Sequence, residues 1–261
     1  MAHDGRAIET FTSWDGLEIA YRRWGQGDGL APAVVLHHGF VADADSNWVA
    51  PGVVKALVAA GREVLAPDAR GHGRSQKPHD PRRYGEQRMA RDLGVLIELV
   101  GASQVDLVGY SMGAVVSLIF AVGEERVRRL VVGGVGSGVL ECGGVDRRAV
   151  SNEAIIHALS VDDPLTLERS PALALRRLAD ALGADRRALV AQARSIYRGQ
   201  IALARIAAPT LVLAGDSDPL ALRPEVLVAA LADARLQMLR GNHMQAIADP
   251  GLARAIVEFL R

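Results

Sequence analysis

Val105-Asp106-Leu107-Val108-Gly109-Tyr110-Ser111-Met112-Gly113 runs from an apolar, strand-length segment into Gly-x-Ser-x-Gly, and Ala114-Val115-Val116-Ser117-Leu118 continues as a helix. The order is strand, sharp turn, helix. A serine in such a turn sits in a strained backbone with its hydroxyl above the sheet, and side chains at the flanking glycines would strike neighbouring backbone. The helix start behind it points N–H groups toward that hydroxyl. In a chain with 27 glycines the five-residue pattern alone is weak, so its surroundings carry the weight.

Upstream, Ile8 to Ser13 and Leu17 to Trp24 flank Trp14-Asp15-Gly16, a turn with hairpin chemistry. Ala33 to Leu36 is a buried-type strand, followed by a helix from about Val49 that stops at Gly61, and Glu63 to Ala66 is another strand. Met89, Leu93, Leu96, Ile97 and Val100 recur at helical spacing before Gly101. Downstream, Val127 to Val132, Leu211 to Ala214 and Leu236 to Leu239 are strands, and Asp249-Pro250 opens a final helix carrying Leu252, Ile256, Phe259 and Leu260. Strands alternating with helices predict an α/β fold, with eight mostly parallel strands and helices on both faces.

From about Ser137 to Ala204 the alternation stops. Ser170-Pro171 opens a helix with Leu175, Leu178 and Leu182, and Leu189, Ala193 and Ile196 mark another ending at Gly199. The expected organisation is a core of residues 1–136 and 205–261 interrupted by a helical cap at 137–204, over the carboxyl edge of the sheet where open α/β sheets bind ligands. No repeat is evident, and no low-complexity tract exceeds the Gly25 to Gly29 loop.

The 261 residues carry 30 Lys+Arg against 30 Asp+Glu, so no large field recruits nucleic acid or an anionic membrane. Arginine pairs such as Arg82-Arg83, Arg147-Arg148 and Arg186-Arg187 read as solvated surface. At 49% hydrophobic and 23% charged the composition is that of a globular protein. Its apolar runs fall well short of the roughly 20 residues of a membrane span. His3, Asp4, Arg6 and Glu9 precede no apolar signal region, and the single Cys142 has no disulfide partner, which together predict a cytoplasmic protein.

A serine hydroxyl needs a base, and the base an orienting carboxylate. Gly215-Asp216-Ser217-Asp218-Pro219 follows one strand and Arg240-Gly241-Asn242-His243-Met244 follows the last, giving the order serine, acid, histidine with both later members just past strand ends. Asp216 and Asp218 are both candidates for the acid. No His-Glu-x-x-His spacing, phosphate loop or Gly-x-Gly-x-x-Gly after a strand occurs, so neither metal nor cofactor is expected. Phe40, Tyr110, Met112 and Met244 flank the site in sequence and are candidates for apolar pocket walls, Tyr110 and Met244 foremost.

With these segments in view the chain resembles the α/β-hydrolase fold family over essentially its whole length. Leu36-His37-His38-Gly39-Phe40 is similar to the family's His-Gly segment, and Pro67-Asp68-Ala69-Arg70-Gly71-His72-Gly73-Arg74-Ser75 to its Asp-x-Arg-Gly-x-Gly-x-Ser loop. The resemblance implies Ser111 as nucleophile, His243 as base and, three residues past the turn glycine, Asp218 as acid. It implies an oxyanion hole of the Phe40 and Met112 backbone N–H groups, a structural role for Asp68 and Arg70, and a structural His38 beneath the oxyanion loop. Serine at the elbow argues against the haloalkane dehalogenase and epoxide hydrolase branches, whose nucleophile is aspartate. The expected activity is hydrolysis of a carboxylic ester, or a related acyl bond, of a small and largely apolar substrate through an acyl-enzyme. Carbon–carbon bond hydrolase, thioesterase, lactonase and cofactor-free perhydrolase are alternatives on the same fold, as is a non-catalytic ligand receptor.

Overall fold

The computed structural model describes residues 7–26 and 31–261, so the segment before Ala7 and most of the glycine-rich Gly25 to Gly29 loop lie outside the described residues. Strands β1 (Glu9–Thr12) and β2 (Glu18–Trp24) form the expected hairpin, closed by the Ser13 N–H donating to Leu17 O at 2.7 Å. Next come β3 (Ala33–His37), α1 (Val53–Ala59), β4 (Val64–Pro67), α2 (Glu86–Leu99), β5 (Val105–Tyr110), α3 (Met112–Ala121) and β6 (Val127–Gly133). The helix expected from Val49 begins instead at Val53. A π-helical turn, Asp45–Val49, precedes it, and the left-handed Gly52 at φ 83° resets the chain direction.

The segment without strands folds as α4 (Gly138–Glu141), α5 (Asn152–Ser160), α6 (Leu173–Ala181) and α7 (Arg186–Ala193). Helix α7 ends before Ile196, which lies beyond it in a cavity wall. The chain closes with β7 (Thr210–Gly215), α8 (Pro224–Ala230), β8 (Ala234–Leu239), α9 (His243–Ala248) and α10 (Pro250–Phe259), the last capped by the Asp249 carboxylate accepting from the Gly251 N–H as its Asp-Pro start predicts.

The eight strands form one sheet in the order β1-β2-β4-β3-β5-β6-β7-β8. β2 runs antiparallel to both its neighbours, and every pairing from β4 through β8 is parallel. Side chains alternate between two cores, as a period of two requires. Val35, Leu107 and Val132 pack toward α2, α3 and α8, whereas Val34, Val108 and Val131 pack toward α1, α9 and α10. Helix α3 is buried on nearly every side, which explains why its sequence shows no polar stripe.

Glycine at both elbow flanks is forced by backbone contact. A Cβ on Gly109 would stand 2.2 Å from Gly113 O, and one on Gly113 would stand 2.0 Å from His37 O. These contacts press the start of α3 against β5 and the β3 loop, which sets where Ser111 can lie. At the far end of the sheet the fully buried Asp106 on β5 receives Arg62 and Arg128, and both arginines also donate to Leu260 O at 2.8 Å, tying the C-terminus to the core. Among the described residues, no helix is long and apolar enough to cross a membrane.

Candidate active site

Ser111 occupies the junction of β5 and α3 at φ 55° and ψ −118°, a conformation rare for a residue with a side chain, and its N–H donates to Gly133 O at 2.8 Å. The surroundings hold this strain in place. Its side chain faces the loop after β3, where a Cβ on Gly39 would come within 3.3 Å of the Ser111 Cβ. That loop is pinned from below. The Gly39 N–H donates to Asn47 Oδ1 at 3.0 Å, and His38 Nε2 accepts the Ala69 N–H at 2.8 Å, which leaves Nδ1 to donate to Gly39 O at 2.7 Å. Among the described residues neither the Phe40 N–H nor the Met112 N–H has a hydrogen-bond acceptor.

His243 opens α9. Asn242 caps the helix with its side chain accepting from the Met244 and Gln245 N–H groups at 3.1 Å, and Gln245 Oε1 accepts the Asn242 N–H at 3.0 Å, a reciprocal capping box. The imidazole Nδ1 meets Asp218 Oδ2 at 2.7 Å, and the Asp218 side chain is fully buried. Its other oxygen accepts the Leu220 N–H at 2.8 Å, so the carboxylate cannot rotate away. Asp216 is elsewhere: exposed, it accepts the Gly241 N–H at 2.9 Å and clips the two loops together.

Ser111 and His243 line a common cavity of about 570 Å³, closed on the opposite side by residues of α5 and α6 such as Ile155, Leu175 and Leu178. Phe40, Met112 and Met244 line it as well, the last more than half exposed. Tyr110, expected as a pocket wall, is not part of the lining. Its ring packs 5.1 Å from the His243 ring on the core side and its hydroxyl donates to His243 O at 2.6 Å, because the alternation along β5 turns it away from the serine. Burial, with the Asp218 charge behind it, pushes the Tyr110 phenol far above its ordinary range and keeps it a hydrogen-bond donor.

The Asp68 to Ser75 loop is a buried brace. Asp68 accepts the Ala44 and Arg74 N–H groups at 2.9 and 2.8 Å, and Arg70 donates to Asp92 and Asp15. Among the described residues no cluster of His, Cys, Asp and Glu is arranged to hold a metal.

His37, His38 and His72 stack beneath the site with ring centroids 5.7 and 5.2 Å apart. Burial pulls His37 and His72 from 6.5 down to about 3, and each positive charge would also repel the others. Above pH 6.5 all are neutral whether folded or not. Below it the unfolded chain takes up protons the folded protein refuses, so stability is lost as pH falls from 6.5 toward 3. The slope is about 1.4 kcal/mol per pH unit for each of the two. Urea midpoints measured at pH 7 and pH 5 should separate accordingly, and His72→Gln should remove about half of these histidines' share; a flat profile would contradict the assignment.

Sequence reasoning missed most of the opposite wall. Arg147, whose pairing with Arg148 reads as surface in the sequence, lines the cavity, as do Glu86 and Gln192. Only the leucines at 175 and 178 carried a local signal, their helical spacing.

A family model described as alpha/beta hydrolase fold matches residues 32–142. A non-heme haloperoxidase of Rhodococcus erythropolis is 28% identical over 270 aligned positions, 88% of this chain and 90% of that protein. Epoxide hydrolase A of Mycobacterium tuberculosis is 43% identical over 90 residues, 34% of this chain and 27% of that one. The matched stretches span only 27 to 35% of the length of the first curated relatives. In structure, a hydrolase from Pseudomonas aeruginosa superposes with a TM-score of 0.78 at 26% identity, covering 98% of both chains. The chain has the α/β-hydrolase fold, and its residues 32–142 match that family's model.

Proposed function

We propose that the protein is a serine hydrolase that cleaves a carboxylic ester of a small, largely apolar substrate, with residues 137–204 acting as its cap. The observation that carries this is the buried Asp218 held at 2.7 Å on His243 Nδ1, on a histidine that shares its cavity with the strained Ser111. In this reading Asp218 fixes the tautomer that leaves His243 Nε2 free to take the Ser111 proton as Oγ attacks the carbonyl carbon. The unpaired N–H groups of Phe40 and Met112 receive the oxyanion, each donor contributing about 3 kcal/mol to the transition state. Collapse expels the alcohol, which takes the proton from His243. Water then gives a proton to His243 and attacks the acyl-enzyme, releasing the acid and restoring Ser111.

Thioester, lactone and carbon–carbon cleavage use the same parts, and attack by peroxide in place of water is supported by the likeness to a haloperoxidase along 88% of the chain. The epoxide hydrolase likeness carries less, since the elbow residue here is serine. A fluorophosphonate probe tests the reading directly. It should label one serine, on the peptide containing Ser111, and the labelled protein should lose turnover of a short-chain aryl ester. Labelling elsewhere, or turnover that survives full labelling, would overturn it.

A further inference from the structure

The cavity walls are mostly apolar, and Arg147 is anomalous among them. Its Nη2 donates to Cys142 O, but Nη1 is buried with no acceptor. A buried cationic N–H without a partner is unfavourable, because the group has given up water and received nothing in return. The acids nearby have other partners, among them Glu153, which accepts from Ser151 and from its own N–H while also feeling the Arg147 charge. Asp146 receives Arg148, Glu141 receives Arg148 and Arg223, and Glu86 accepts the Tyr197 N–H at 2.6 Å. Burial raises the Glu86 carboxyl against the opposing effects of the Tyr197 N–H, its own N–H and the Arg147 charge. Gln192 completes the polar patch, with Oε1 accepting the Gly85 N–H at 3.2 Å and Nε2 3.9 Å from the Met112 sulfur, next in sequence to Ser111. The other cavity arginine, Arg177, is exposed.

We propose that Arg147 binds a carboxylate carried by the substrate, so that the preferred esters have an apolar body and one anionic end. A planar guanidinium with a free, desolvated N–H suits a carboxylate better than any neutral acceptor. This subsite rests on the hydrolase reading for its chemistry, but binding at Arg147 does not.

The test uses 4-nitrophenyl hydrogen glutarate and 4-carboxyphenyl butyrate, which place the carboxylate on the acyl and alcohol sides, each beside its carboxamide isostere. At least one carboxylate ester should exceed its isostere in kcat/KM by about 10- to 100-fold, the range of a charge-assisted contact. Arg147→Met should bring that ratio to near one and Arg147→Lys should keep part of it. Circular dichroism and a thermal melt would show that each variant folds. Equal use of carboxylate and carboxamide by the native protein, or an unchanged ratio in Arg147→Met, overturns the proposal while leaving the hydrolase reading intact. If no ester is turned over, the hydrolase reading fails first, and calorimetry of glutarate binding to Ser111→Ala with and without Arg147→Met then decides the subsite. Binding lost with Arg147 supports it, whereas binding that is absent or indifferent to Arg147 overturns it.

Discussion

Ser111→Ala is expected to lower kcat on a short-chain aryl ester by roughly 10⁵- to 10⁶-fold, the scale on which removal of an activated serine acts elsewhere. The change deletes one oxygen at a site only 8% exposed and keeps a side chain at the same positive φ, so the backbone strain is unaltered. The fold should survive, with an unfolding midpoint close to that of the native protein. On the proposed mechanism, turnover left behind would come from the Phe40 and Met112 N–H groups polarising the carbonyl toward water. Stopped-flow release of 4-nitrophenol separates the two cases, since the native protein should show an acylation burst and the variant none. A loss of less than about 100-fold would mean that another group is the nucleophile.

Asp218→Asn is expected to lower kcat by roughly 10⁴-fold at neutral pH, and Asp216→Asn to change it by less than about threefold. The difference lies in what each carboxylate touches. Asp218 accepts from His243 Nδ1 and from the Leu220 N–H. An amide there still accepts the Leu220 bond through its oxygen and turns its NH₂ toward the imidazole. Nδ1 must then act as acceptor, the proton moves to Nε2, and the nitrogen that should receive the serine proton is already occupied. Asp216 holds only the Gly241 N–H, which an asparagine oxygen also accepts. Steady-state kinetics on both variants distinguish them, and a larger loss for Asp216→Asn would reverse the assignment.

Much of the fold was legible because its signals are local. Apolar runs of four to six residues bounded by glycine marked the strands, and Asp249-Pro250 marked the last helix start, since capping and proline geometry involve only neighbouring residues. The first helix begins at Val53, later than the sequence suggests, because a π-helical turn and Pro51-Gly52 interrupt an apolar run that looks continuous in sequence. Helix α5 stands outside the sequence expectation, although Ser151 caps it by accepting the Ala154 N–H, a bond as local as the others. Among site residues, Tyr110 shows that position in sequence does not carry side-chain orientation. Adjacent strand residues face opposite sides, and its neighbour in the turn takes the cavity side.

By itself the sequence determined the strand–elbow–helix unit, the order of serine, acid and histidine, and the requirement for glycine at 109 and 113. These follow from steric limits and periodicities that act over a few residues. Tertiary structure decided which aspartate meets the imidazole, that Tyr110 braces the histidine from behind, and that Arg147 lines the cavity rather than the surface. Those outcomes depend on where loops from β3, β5, β7 and β8 and the helices between β6 and β7 converge. Such convergence is set by long-range packing, and no local pattern of residues records it.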